Sequence, residues 1–209
     1  FSPLPDVNDE AEDDNSQVDK RPLASYTYLF LGAFAIFAYV GVEVLAGDYI
    51  ISYGSYLGLS EFAPYLTSFT LFSMIAGYLM GVLLTPKYLS QEKLLRVCLV
   101  LSLILISGVL LTSGKVSVTM LFLLGFTHAI MWPAIWPMSI KDLGRHTKTG
   151  SALLIMGIAG GAIIPLIYGW LSDMNGGNLK QAFWVMIPCY LCILFFAIKG
   201  HKIGHKPKD

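Results

Sequence analysis

Charge is scarce in this chain. Only 13% of its 209 residues are Asp, Glu, Lys or Arg, against about 25% in an ordinary globular domain. Set beside 55% hydrophobic residues, that shortage excludes an ordinary soluble fold. Cysteine is scarce as well. Cys98, Cys189 and Cys192 all lie in apolar runs, so there is no disulfide framework and no metal-ligand spacing. The Cys189/Cys192 pair has no third Cys or His beside it and reads as packing rather than redox chemistry. No HExxH motif occurs, and no acid, base and nucleophile cluster near an interface. The 14 basic residues are scattered between long uncharged runs and form no continuous stripe, which excludes a nucleic-acid partner. The sequence starts without Met and shows no short apolar core with a small-residue cleavage site. Its first segment is therefore not read as a signal peptide, and the chain is expected to be a fragment.

What the chain has in abundance is long apolar segments. Six run at roughly 25–53, 62–86, 93–113, 116–140, 149–172 and 180–199, each near or above the ~20 residues that cross a bilayer as a helix. Helix is the only open-ended structure available there, because lipid offers no partner for exposed backbone groups. The fold class expected is all-α integral membrane, with a six-helix transmembrane bundle over 23–200. Residues 1–22 hold seven of the acidic groups between prolines and read as a disordered acidic cytoplasmic linker; 201–209 read as a basic cytoplasmic tail. With six spans both ends share a side, and that side collects twelve of the basic residues while Lys115 and Lys180 face the other. The asymmetry fits a multi-pass inner-membrane protein with both termini in the cytoplasm, the lipid bilayer being its first partner.

Polar side chains inside these segments carry the functional signal, because an ionisable group at mid-membrane is expensive and normally faces a cavity. Glu43 lies in the first segment, towards its outer end, and shares a face with Tyr39 and Gly47 at a spacing of four. It reads as a cavity-facing carboxylate or as one snorkelling to the interface. Asp48 is nearer the boundary and reads as interfacial. In the fourth segment His128, Trp132 and Trp136 follow one another at intervals of four, so they project from one side. Imidazole and indole NH groups beside flat aromatic rings suit a pyranose, whose C–H faces stack while its hydroxyls take directed hydrogen bonds. Two alternatives stay open: an interfacial aromatic belt for the tryptophans, and a buried histidine paired with a neighbouring helix. Pro133 and Pro137 remove backbone donors and free the carbonyls of Ala129 and Pro133. Gly157/Gly161 and Gly77/Gly81 have the GxxxG spacing of close helix approach, and Gly160, Gly161 and Pro165 weaken the middle of the fifth segment.

The stretch WPAIWPMSIKDLGRHTKTGSALLIMGIAGGAIIPLIYGWLSD resembles the tenth and eleventh helices, with their connecting loop, of the fucose and glucose/galactose proton symporters of the major facilitator superfamily. The matching positions are Trp132, Pro133, Pro137, Leu143, Gly144, Thr147, Lys148, Gly150, Ser151, Gly160, Gly161 and Pro165. GVEVLAGDYIISYG, which contains Glu43, resembles their seventh helix. The resemblance covers residues 25–200 and implies the C-terminal half of a twelve-helix sugar transporter, completed by a missing N-terminal six-helix half and coupled to a proton. The carboxylates associated with proton coupling in those symporters belong to the absent half, and LLTPKYLSQEK lacks the GxxxDRxGRR pattern of the wider superfamily. On this reading the chain is not an enzyme and needs no cofactor or metal. Tyr39, Glu43, His128, Trp132 and Trp136 meet the sugar substrate. A lipid-modifying membrane enzyme using His128 or Glu43, or a scaffold joined through its GxxxG faces, are the rival readings.

Overall fold

The computed structural model describes residues 22–85 and 88–204. The acidic linker, apart from Pro22, and residues 205–209 of the tail lie outside the described residues, as does Lys87. Among the described residues the structure is helical throughout. The elements are α1 Thr27–Gly47, α2 Tyr49–Tyr56, α3 Ala63–Leu84, α4 Gln91–Leu111, α5 Gly114–His128, α6 Met131–Ile140, α7 Thr147–Met156, α8 Gly160–Met174, α9 Leu179–Ala182 and α10 Met186–Ile198. Joined end to end they make six spans long and apolar enough to cross a membrane: Thr27–Gly47, Ala63–Leu84, Gln91–Leu111, Gly114–Ile140, Gly144–Met174 and Leu179–Lys202.

Local sequence explains the boundaries. Ser90 caps α4 by accepting from the Lys93 amide, with Glu92 in the first turn, and Asn178 caps α9 by accepting from the Gln181 amide. Each satisfies a donor that a helix start leaves unpaired. Pro64 stands in the first turn of α3, where its missing N–H costs nothing. Gly58, Gly114, Gly176 and Gly177 take positive φ at the turns.

Two spans break where their sequence weakens them. The fourth divides at Ala129–Ile130 between α5 and α6, because Pro133 cannot donate to the Ala129 carbonyl. In the fifth, Gly157–Ala159 form a single tighter turn between α7 and α8, just ahead of Gly160, Gly161 and Pro165, the residues expected to weaken it. The first span holds together instead. Only Asp48 separates α1 from α2, and the helical path continues to Tyr56, where Tyr53 and Ser117 hydroxyls lie 2.6 Å apart. Glu43 lies four residues before Gly47, towards the end of the first span as expected.

The first span is the hub. α1 packs on α5, α6, α7, α8 and α10, while α3 and α4 pack mainly on α5. Glycine sets the closest approaches. A Cβ on Gly160 would collide with the Phe37 carbonyl oxygen, one on Gly77 with that of Phe126, and one on Gly125 with that of Thr70. Both GxxxG pairs thus mark crossings in which backbones nearly touch, though in the fifth span Gly160 makes a tighter contact than Gly161. Thr67 donates to the Gly47 carbonyl at 2.7 Å, tying α3 to the end of α1.

Both described ends of the chain lie together, since the Tyr28 amide donates to the Ile203 carbonyl at 3.1 Å. At this end the loop before α7 is organised by the residues that carry the family likeness. Asp142 and Gly144 take positive φ, Thr147 donates to the Gly144 carbonyl at 2.7 Å, and Gly150 leaves room for Leu143 and Leu29. Arg96 reaches from α4 to the end of α10, its Nε donating to the Ala197 carbonyl at 2.9 Å. Burial is uneven: spans one and four are 61% buried, spans two and five only 22% and 33%.

Candidate functional site

The middle of the bundle holds a string of rings around Tyr39. Tyr39 is buried, and its hydroxyl donates to Oε1 of the half-buried Glu43 at 2.7 Å. The four-residue spacing on α1 makes this possible, because successive turns stack the two side chains. Beside the Tyr39 ring stand the His128 imidazole, edge-on at 6.2 Å and 89°, and the Trp132 indole at 6.3 Å and 56°. Trp132 and Trp136 stack on each other, 5.5 Å apart and 21° from parallel. Both are half-buried. With exposed Pro133 and Pro137 they line an open hollow of about 280 Å³.

The expected site residues therefore do come together, but at different depths. Trp132 and Trp136 offer ring faces to the hollow. Glu43 stands at the edge of the buried face of α1. His128 is only 1% exposed, and its Nε2 shares a hydrogen bond of 2.8 Å with the Tyr190 hydroxyl of α10. That geometry matches the reading of a histidine paired with a neighbouring helix. Asp48 is exposed at the junction of α1 and α2 and takes no part in these contacts.

Two residues escaped the sequence reading. Tyr190 lies between Cys189 and Cys192 in an apolar run, and its signal was the hydroxyl itself, which a buried tyrosine must satisfy. Tyr78 of α3 is 45% exposed. It lines a second hollow, of about 410 Å³, with Thr85, Gln91, Ala129 and Pro133 among its walls. Its signal was a polar aromatic eight residues from the end of the second apolar run, where an interfacial tyrosine does not belong. Small-molecule sites measure roughly 300–1,000 Å³, so either hollow is of a size for part of a small polar solute.

The arrangement has ring faces, one carboxyl and several hydroxyls, and no cluster of three or more His, Cys, Asp or Glu side chains among the described residues. It can bind and release a polar molecule with flat apolar patches.

No family model matches the chain. It is 34% identical over 205 residues to the glucose/galactose transporter of Brucella abortus, covering 95% of its own length and 48% of that protein. With the L-fucose-proton symporter of Escherichia coli it shares 29% identity over 199 residues, 92% of this chain and 44% of the symporter. Among solved structures it superimposes on FucP, a major facilitator superfamily transporter crystallised in the outward conformation. The TM-score is 0.75 at 26% identity, covering 81% of this chain and 41% of the other. The chain thus spans about half the length of the curated relatives it matches. Across most of its length, in sequence and in helix arrangement, this multi-pass membrane chain has the major facilitator superfamily fold and is similar to the fucose and glucose/galactose transporters.

Proposed function

We propose that the chain is the C-terminal half of a secondary transporter that carries a hexose through the inner membrane by alternating access, coupled to a proton, with both of its ends in the cytoplasm. An N-terminal six-helix half closes the site from the other side, and the two halves rock about it. The observation that carries this reading is the Tyr39–Glu43 pair, set inside a transmembrane span beside Trp132, which stacks on Trp136. A carboxyl costs several kcal/mol there unless it serves a polar path, and stacked indoles without a cargo would gain more by full burial. The names of the relatives, a glucose/galactose transporter and an L-fucose-proton symporter, agree in substrate class.

In this reading Trp132 stacks against the sugar ring, Trp136 forms the adjoining wall, and Glu43, held by the buried Tyr39 hydroxyl, bonds the sugar hydroxyls. His128 supports them from within. The cytoplasmic side is the one that holds Lys93, Arg96, Lys141, Arg145, Lys148, Lys199 and Lys202, with Lys115 and Lys180 outside.

The test is uptake of labelled glucose, galactose and fucose into proteoliposomes that hold the parent protein, with and without an imposed proton gradient. Gradient-stimulated accumulation of at least one hexose is expected. Trp132→Ala should lower it about tenfold or more while membrane insertion is unchanged, since an aromatic contact is worth ~1 kcal/mol beyond the area it buries. Absence of hexose uptake at any gradient, with no hexose-dependent thermal shift, would favour the scaffold reading instead.

A further inference from the structure

The pairing of His128 with Tyr190 leaves a buried polar group that direct sugar binding does not use. Tyr190 is 0% exposed and His128 1%, so neither meets a cargo in the hollow. They are nevertheless not isolated. From α10 inward the contacts run Tyr190 hydroxyl to His128 Nε2 at 2.8 Å, His128 imidazole edge-on to the Tyr39 ring at 6.2 Å, and Tyr39 hydroxyl to Glu43 Oε1 at 2.7 Å. The string crosses three spans, the sixth, fourth and first, and ends at the Glu43 carboxyl.

Each link restrains the next. The hydrogen bond fixes the plane of the imidazole, because a ring held by one nitrogen cannot turn about its Cβ–Cγ bond without losing it. An edge-on imidazole then confines the Tyr39 ring, which Trp132 bounds on another side. A confined Tyr39 ring aims its hydroxyl at Glu43. Residues of a site are held to useful geometry by neighbours whose own rotamers are locked.

Resting on the transport reading above, we infer that Tyr190 and His128 are positioning residues: they act on sugar affinity through Tyr39, by holding its hydroxyl against Glu43, and not by touching the sugar. The distinguishing experiment is a double-mutant cycle in the parent protein. Hexose affinity is read by titrating intrinsic tryptophan fluorescence for Tyr190→Phe, Tyr39→Phe and the pair. Alone, Tyr190→Phe should weaken hexose binding about tenfold, the scale of coupling found within one hydrogen-bonded network. In the Tyr39→Phe background, where the aimed hydroxyl is gone, it should cost less than about twofold. Equal losses in both backgrounds, or no loss in either, would overturn the inference. Should Tyr190→Phe fail to fold, His128→Gln takes its place in the same cycle.

A second readout keeps the inference apart from the transport proposal. The infrared carboxyl band of Glu43, assigned by its disappearance in Glu43→Gln, should shift in Tyr190→Phe without any ligand. If wild-type protein binds no hexose yet this band shifts, the transport reading fails and the positioning string stands. An unmoved band overturns the string whatever the protein binds.

Discussion

A carboxyl in the middle of a membrane protein has to be explained by what it gains. Glu43 accepts from Tyr39 at 2.7 Å, and that bond offsets only part of the several kcal/mol that removing a carboxyl from water costs. If the remainder is repaid by proton movement, charge and hydrogen bonding can be separated by one substitution. Glu43→Gln keeps a carbonyl that accepts from Tyr39 but cannot change protonation. Hexose exchange at equal concentrations should then persist within about threefold, since one accepted hydrogen bond is retained, while accumulation driven by a proton gradient is lost. Counterflow and gradient-driven uptake measured on the same proteoliposomes check this. Loss of neither would return Glu43 to a structural part. At this scale the sequence was informative wherever residues meet within one helix. The spacing of four brings Tyr39 to Glu43 and Trp132 to Trp136, as the helical period requires. It was silent about Tyr78 and Tyr190, because what a side chain meets on another helix depends on which faces pack, and no local period records that.

Helices in this bundle are positioned by what they omit. Without a hydrophobic drive between helices in lipid, close contact depends on small residues that let backbones approach. Gly160 and Gly169 share α8 and differ in this respect. A Cβ on Gly160 would strike the Phe37 carbonyl, whereas one on Gly169 meets nothing within 4 Å. Gly160→Ala should therefore destabilise the fold by ~1–3 kcal/mol, the usual cost of forcing an atom into a packed contact. Gly169→Ala should stabilise by up to ~1 kcal/mol through better helix propensity. Thermal unfolding of the two variants in the same detergent compares them, and a shift of equal sign in both would refute the packing argument. The number of the spans was readable from the apolar runs, and their breaks nearly so from Pro133, Gly160 and Gly161. The order of tightness among glycines was not, since it is set by which carbonyl lies opposite.

At the scale of the molecule, orientation follows from counting charges at the two ends. Lys115 and Lys180 stand at the end opposite to Lys141, Arg145 and Lys148. The predicted topology makes the two ends differ in access. In intact cells, Lys180→Cys should react with a membrane-impermeant maleimide and Arg145→Cys should not until the membrane is opened. The reverse pattern would invert the orientation. Which span would be central was not legible from residue order, because all six are similarly apolar and centrality depends on the number of sides each one shares.

That centrality limits how the molecule can move. The first span touches most of its companions, and at Gly160 the fit leaves no slack for sliding. A displacement of Tyr39 and Glu43 relative to the aromatic wall would have to pull several crossings apart at once. In the transport cycle proposed above, exposing the hollow to one face of the membrane and then the other is therefore a task for the whole bundle turning as one block.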